Sequence, residues 1–206
     1  MKRLFSLLLL LTWAVIALAQ TPLEIISRME EEMQSHSGEG LAMIVDTKIP
    51  VLGTTYVQSY TLGQKIRIET KLMGVQVISW SDGSTSWDYN SKTKEVVITG
   101  EISKDDEGGD VEMFMGIAEG YDVSISKETD KEWHLLCKKS KSNTEEDAPK
   151  KMELVVAKGT YHPISLKASI SGITMTMRDI VYGVDESQVT FNREELPEDT
   201  TIVDKR

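Results

Sequence analysis

The sequence predicts a mostly β, antiparallel domain with short connections, opened by one strong helix. The first observation is a change of hydrophobic period, because apolar residues recur at helical spacing before Gly40 and alternate with polar residues after it. The second is the distribution of turn-forming residues, because Gly, Pro, Asn and Asp separate short apolar runs along the rest of the chain. We count about eleven strands, the opening helix and one weak helix.

The opening helix has a clear start signal. Thr21 is a good N-cap, Pro22 suits the first helical position, and Glu24 is placed to complete a capping box. The predicted apolar face consists of Leu23, Ile26, Met29 and Met33, and the predicted solvent face of Glu24, Arg28, Glu31 and Glu32. Residues 37–40 end the helix, so we expect about four turns.

The predicted strands form a meander of alternating segments. They are 41–49, 54–62, 65–72, 75–80, 85–89, 95–99, 121–126, 132–138, 152–158, 164–170 and 173–182. Turn residues stand between them, notably Asp82-Gly83 before a predicted hairpin and His162-Pro163 later in the chain. Segment 65–72 alternates most cleanly, with charged residues on one side only.

The alternation is lost between residues 100 and 120. Segment 105–110 is acidic and rich in glycine, and segment 111–117 is apolar and predicts the weak helix. A calcium site in 105–110 is the alternative to a solvated loop, but the carboxylates lack the spacing of a dedicated site. We favour the loop.

The N-terminus has the features of a secretory signal peptide, residues 1–19. Two cations precede an apolar run, and Ala17-Leu18-Ala19 gives a small-x-small pattern that is cleaved before Gln20. An uncleaved anchor is the alternative, but the run is short for a spanning helix. Cleavage would leave one domain, 20–206, and would move the net charge from −10 to −12, because only Lys2 and Arg3 are lost as charges.

Charge and cysteine usage limit the possible functions. The acidic balance argues against nucleic acid and gives no support to binding of anionic lipid surfaces. Cys137 is the single cysteine, so an internal disulfide is excluded. Alternation with Trp133 and Leu135 predicts that Cys137 is a buried small hydrophobe rather than a nucleophile. A lipid-anchored envelope protein would begin with cysteine, and the expected first residue here is Gln20.

Catalytic motifs are absent from the sequence. His36, His134 and His162 lack metal-ligand spacing, and neither a nucleophile elbow nor a phosphate-binding loop occurs. We therefore expect no enzymatic activity, no metal and no cofactor. The unusual feature is instead the supply of methionine, since nine of ten remain after cleavage. Methionine adapts to flexible apolar ligands, although an ordinary core is the alternative interpretation.

Four segments occur in a distinctive order. They are 63–69 with Gly-Gln-Lys-Ile-Arg-Ile-Glu, 77–83 ending in Asp82-Gly83, 86–90 with Ser-Trp-Asp-Tyr-Asn, and 94–98 with Lys-Glu-Val-Val-Ile. This order resembles the periplasmic outer-membrane lipoprotein carrier family. His162-Pro163-Ile164 is similar to a later turn of that family, and 191–203 is similar to its closing segment. The resemblance spans most of the chain after residue 20.

The resemblance implies a fold and a function. The fold is an incomplete, half-open β-barrel of about eleven strands whose concave face is covered by helices. The function is to hold lipoprotein acyl chains in the periplasm between an inner-membrane release machinery and an outer-membrane acceptor. A monomer that binds lipidated proteins, and not nucleic acid, is therefore expected. The alternatives are a lipoprotein-sensing module on the same fold and a structural envelope protein without ligand.

The candidate site residues combine the methionines with the resemblance. The expected acyl-facing residues are Met29, Met33, Met113, Phe114, Met115, Met175 and Met177. Arg67 matches the strand arginine of the family, which there bonds to lid helices. We therefore expect Arg67 to bind backbone carbonyls of the opening helix or of 113–117, with a solvated strand residue as the alternative. Trp87 and Tyr89 are expected to be fold markers that pack in the hairpin.

Overall fold

A computed structural model describes residues 20–50, 53–100, 114–146 and 148–206. The predicted signal peptide, the acidic segment 105–110 and Met113 lie outside these ranges. Within them, no helix is both long enough and apolar enough to cross a membrane.

The described ranges contain one long helix, two single-turn helices, one 3-10 turn and twelve strands. In chain order they are α1 Pro22–Ser35, β1 Leu41–Ile49, β2 Gly53–Leu62, β3 Lys65–Leu72, β4 Val75–Ser81, β5 Ser86–Asn90, β6 Glu95–Thr99, α2 Ile117–Gly120, β7 Tyr121–Glu128, β8 Glu132–Lys139, β9 Lys151–Ala157, β10 Pro163–Ile170, β11 Ile173–Tyr182, α3 Glu186–Val189, the 3-10 turn Arg193–Glu195, and β12 Thr201–Asp204. The bounds of β1, β3, β6 and β11 coincide with the predicted ones. The mostly β prediction is confirmed.

Helix α1 starts as its sequence predicts. The Thr21 side chain accepts a hydrogen bond from the Glu24 backbone N–H at 3.2 Å. The buried residues are Ile25, Ile26, Met29 and Met33. The prediction for Leu23 was wrong, because the buried stripe runs at i+4 spacing from residue 25 and leaves Leu23 52% exposed. Each fully buried side chain of this stripe stabilises the docked helix by about 1.5–3 kcal/mol.

All twelve strands belong to one open sheet, ordered β12-β6-β5-β4-β3-β2-β1-β11-β10-β9-β8-β7. Neighbours run antiparallel except β12, which lies parallel to β6. Strands β12 and β7 are the edges and do not pair with each other. The predicted half-open sheet is therefore confirmed. The sequence did not predict β12, since its four residues are too few to show a period.

Cross-strand register assigns each strand residue to one of two faces. We name the side on which α1 packs the helix face, and the opposite side the tail face, because the C-terminal segment 184–200 packs there. One row crosses the helix face through Ile125, Leu135, Leu154, Leu166, Met177, Val45, Val57, Thr70, Val77 and Asn90. Two hydrophobic clusters lie on opposite faces of the same sheet.

The tail-face cluster is built around the predicted fold markers. Phe191 stacks on Trp87 with ring centroids 5.6 Å apart and meets Trp80 edge-on at 5.3 Å. Tyr89 is buried in the same cluster. The preceding turn is held by Asp82, whose Oδ1 accepts hydrogen bonds from the backbone N–H groups of Ser84 and Thr85. These bonds lower the pKa of Asp82 below its ordinary value.

The helix face divides into two parts. The covered half comprises β1 and β7 to β11, where α1 and the described lid segment 114–120 bury a continuous apolar cluster. The open half comprises β2 to β6, and no described element packs its side chains into a second cluster on this face.

Candidate functional site

On β2, β3 and β4 the open half carries no charged side chain, whereas β5 and β6 place Asp88 and Glu95 on the same face. Its positions on β2, β3 and β4 are filled by Thr55, Val57, Ser59, Thr61, Ile66, Ile68, Thr70, Leu72, Val75, Val77, Ser79 and Ser81. Ile68 is 40% exposed and Leu72 is 51% exposed. Since 27% of the chain is charged, a partly exposed strand surface with only apolar and hydroxyl side chains is a distinct feature.

The alternation of β3 accounts for this difference between faces. Lys65, Arg67, Glu69 and Lys71 all point to the tail face, as their cross-strand partners place them. Ile66 and Ile68 consequently point to the helix face. A single-residue slip in register would exchange the two sets, so the charged set fixes which face stays apolar.

Most predicted acyl-facing residues lie on or over the helix face. Met29, Met33, Phe114 and Met177 are buried in the covered half. Met175 is half-buried at its border, where Val57 of the open half also packs against the cluster. Met115 is 37% exposed. Met113 lies outside the described residues, and the acyl-binding role of the whole set stays a prediction.

The lid segment is held over the covered half by two apolar residues and one carboxylate. Phe114 and Ile117 are fully buried. The backbone N–H groups of Gly116 and Ile117 bond to the carboxylate of Glu30. Burial nevertheless outweighs these bonds and raises the pKa of Glu30 above its usual value. Its Oε1 atom is buried without a hydrogen-bond partner in the described part of the chain, so closing the lid desolvates a charge.

A cavity of about 660 Å³ adjoins the lid segment. Its walls include Met115 and Ile117 on one side, Asn143 and Pro149 on another, and the buried Met152 of β9. Sites for small ligands span about 300–1,000 Å³. Met115 also lines a shallow groove along the exposed side of α1. This methionine therefore stands between solvent and the covered half.

A polar cluster fastens the C-terminal part of α1 to the sheet. The Tyr182 hydroxyl donates to Oε2 of Glu32 at 2.6 Å, and the His36 ring stacks on the Tyr182 ring at 4.4 Å. His162 places Nδ1 3.3 Å from Oε1 of Glu32 and Nε2 2.8 Å from the carbonyl oxygen of Ile180. Both partners are acceptors, so both His162 contacts are hydrogen bonds only when the imidazole is protonated.

The sequence missed this cluster. Glu32 was assigned to the solvent face of the helix, yet its side chain is only 16% exposed. His162 was identified only as part of a turn. Desolvation by burial is the main cause that raises the pKa of Tyr182, and the hydrogen bond to Glu32 raises it further. No signal in a single sequence identifies this cluster, because an acid on α1 and the distant tyrosine and histidines come together only in the folded chain.

Arg67 requires a correction of its expected partners. It lies on the tail face, where its guanidinium donates to the carbonyl oxygen of Gln188 at 3.3 Å and lies 3.0 Å from Oε2 of Glu195. It also lies over the Trp80 ring at 5.2 Å. The expected contacts with α1 or 114–117 are not formed, because residue 67 has the parity that faces away from α1. Arg67 fastens the C-terminal segment instead.

Cys137 occupies the core as predicted. It is buried, and desolvation raises the pKa of its thiol to about 11. A thiol with this pKa is protonated at neutral pH and is a poor nucleophile. Across the described ranges, no group of three or more His, Cys, Asp or Glu side chains has the geometry to hold a metal ion.

The chain is similar in fold to several solved structures. LprF from Mycobacterium bovis has a TM-score of 0.50 at 9% identity, covering 81% of this chain and 96% of LprF. A conserved protein from Thermus thermophilus has a TM-score of 0.46 at 16% identity, covering 88% of this chain and 98% of that protein. A LolA superfamily protein from Nitrosomonas europaea has a TM-score of 0.32 at 12% identity, covering 86% and 100%.

The likeness to LprF, at a TM-score of 0.50, supports the expected fold. At these identities the likeness concerns architecture alone. No protein-family model matches the chain, and the search of curated proteins gives no match.

Proposed function

We propose that the protein is a periplasmic carrier that binds the acyl chains of lipoproteins on its helix face and ferries them to the outer membrane. The observation that carries the proposal is the open half, a partly exposed surface without charged side chains on β2 to β4. It borders the methionine-rich covered half, against whose cluster Val57 of β2 packs.

The energetics of acyl binding fit such a surface. Each buried methylene contributes about 0.8 kcal/mol, so a long chain gains several kcal/mol even on a partly open surface. A carrier must also release its cargo. Strands whose side chains are not interlocked with a covering helix accept and lose a flexible chain with little loss of protein packing.

The covered half supplies a second, closable part of the site. Helix α1 and the lid segment are fastened by Glu32 and Glu30, two carboxylates held in partly buried positions. Polar fastenings of this kind break at lower cost than an interdigitated core. Movement of α1 would add Met29, Met33 and Met177 to the acyl-binding surface, as the sequence analysis predicts.

Location and partners form part of the same proposal. The chain would be exported, cleaved after Ala19 and retained in the periplasm as one domain of residues 20–206. An inner-membrane release machinery would load it, and an outer-membrane acceptor would unload it. The carrier itself needs no cofactor for this exchange, because transfer only redistributes apolar surface.

The test is purification of the exported protein followed by mass spectrometry of bound lipid, and by extraction of a lipoprotein from inner-membrane vesicles. The proposal expects a soluble complex with lipidated protein, and no complex when the same lipoprotein lacks its acyl chains. Protein that is empty and extracts nothing would support a structural role instead. Binding without transfer to outer-membrane vesicles would support a sensing module.

A further inference from the structure

Four hairpin turns share one end of the sheet with the longer β8–β9 connection, and we name these four turns the tip row. In an antiparallel meander alternate turns lie at the same end, which brings together the β1–β2, β3–β4 and β5–β6 turns. The pairing of Lys48 with Thr174 adds the β10–β11 turn to the same end. The row therefore spans much of the sheet width.

Met73 is the feature of the tip row that the fold does not explain. Its side chain is 86% exposed, and its backbone has a φ of 51°. The β10–β11 turn has the same backbone form with Ser171 followed by Gly172. Such two-residue turns favour Asn, Asp or Gly at the first position. A methionine there gains no packing and accepts an unfavourable conformation, which indicates a role outside the fold.

Apolar neighbours extend the exposed surface around Met73. Leu72 is 51% exposed on the same turn, and Ile173 is 37% exposed on the β10–β11 turn. Large side chains exposed together at turn apices mark an interaction site. Leu72 and Ile173 stand at the outer end of the helix face by their parity, whereas Met73 lies in the turn itself and belongs to neither face.

The charge of the tip row opposes the charge of the protein. The full chain has a net charge of −10, yet the described turn residues 48–50, 70–76, 90–94 and 167–174 contain five lysines and no carboxylate. Carboxylates do lie beside these turns, namely Glu153 and Asp199, and the neighbouring β8–β9 connection carries Glu145 and Glu146 together with Lys141 and Lys150. The lysines are Lys48, Lys71, Lys92, Lys94 and Lys167. Lys94 pairs with Asp199, and Lys167 lies 4.0 Å from Glu153. Lys48, Lys71 and Lys92 form no ion pair with a described residue.

We propose that the tip row docks the protein on the surface of an anionic phospholipid bilayer, with Met73 and Leu72 entering the interface and the lysines contacting lipid phosphates. Apolar apices ringed by lysine have the composition of interfacial membrane anchors. Each lysine near an anionic surface contributes about 1 kcal/mol. The acidic remainder of the molecule is repelled, so docking orients the tip row toward the bilayer and stays reversible.

This inference goes beyond acyl-chain binding and does not depend on it. The test is sedimentation of the exported protein with phosphatidylcholine vesicles and with vesicles containing equal parts of phosphatidylcholine and phosphatidylglycerol. Binding is expected to the anionic vesicles and to fall at high ionic strength. Met73→Ser should weaken binding roughly tenfold, and Lys48→Gln with Lys71→Gln should weaken it about fivefold per lysine.

The matched control is Val181→Ser, which removes an exposed apolar residue of the tail face that is 54% exposed. It should leave vesicle binding unchanged. Equal binding to neutral and anionic vesicles, no binding to either, or no effect of Met73→Ser would overturn the proposal. Loss of self-association in Met73→Ser, measured by sedimentation velocity, would identify a second copy as the occupant and would also overturn it. Acyl-chain binding is measured separately and fails independently.

Discussion

The covered half and the open half belong to the same face of the same sheet, yet their side chains differ in burial. Along one transverse row, Leu135, Leu154 and Met177 are almost fully buried under α1, whereas Thr70 and Val77 are only half-buried. The strand pattern alone does not cause this difference, because both halves alternate. The difference arises because α1 and the lid segment cover only about half of the strands.

The consequence is a division between stability and function. The covered half buries the continuous cluster on which a chain without disulfides depends. Few side chains of the open half pack against other elements, so they are available to a ligand. Four predictions test this division, in order of decreasing effect.

The largest effect is expected from matched leucine truncations. Leu154→Ala in the covered half should lower the free energy of unfolding by about 2–5 kcal/mol, because it leaves a cavity in the core. Leu72→Ala in the open half should lower it by about 0.5 kcal/mol or less. Urea denaturation measures both, and equal losses would show that the open half is packed as tightly as the covered half.

The next effect separates the two faces. Arg67→Leu should lower the free energy of unfolding by about 1–3 kcal/mol, because a hydrogen bond to Gln188, ion pairs with Glu69 and Glu195, and a cation–π contact are lost together. Hydrogen exchange should speed up in 185–200 and stay unchanged in α1. Lys65→Met, which removes the exposed contacts with Glu186 and Thr190, is the control and should have little effect. Faster exchange in α1 would instead indicate that Arg67 contacts this helix, as the sequence predicts.

A smaller effect is expected on ligand affinity. Ile68→Asn should weaken binding of an acylated lipopeptide roughly tenfold, because it removes apolar contact from the open half. Val181→Asn, at a similarly exposed position on the tail face, should leave the dissociation constant unchanged. Fluorescence titration measures both variants. Equal weakening, or none, would remove the open half from the binding site.

The smallest effect concerns pH and the lid. Burial raises the pKa of Glu30, so the closed lid gains stability below the ordinary value of 4.5 and loses it as the pH rises through the raised value. Glu30→Gln should therefore raise the free energy of unfolding at pH 7 by less than about 1 kcal/mol and leave it unchanged at pH 4. Denaturation at both pH values measures this, with exposed Glu31→Gln as the control. A gain that is the same at both pH values would exclude Glu30 as the cause.

The fold was largely predictable because the strands carry their own period. Segment 65–72 alternates without exception, and α1 is marked by Thr21 and Pro22, so these elements follow from local sequence. The site was less predictable. Alternation states that Arg67 and Ile68 face opposite ways, but not which of the two faces the helix covers. Only tertiary contacts decide that, which is why Arg67 was assigned partners on the wrong face.

The methionines illustrate the same limit. Met29 and Met177 lie in one buried cluster, and their expected contact with acyl chains stays a prediction. Composition did not reveal that this interior is occupied by the protein itself, nor that a less conspicuous set of Val, Ile and Thr residues remains partly exposed beside it. Exposure is a property of the assembled sheet and has no signature in a single strand.

Photo-crosslinking at two consecutive positions tests the central claim most directly. A photoreactive side chain at position 77 faces the open half, and the same group at position 76 faces the opposite side of the same strand. With a lipopeptide labelled in its acyl chains, we expect crosslinks from position 77 and none from position 76. Equal crosslinking from both positions, or from position 76 alone, would contradict the account.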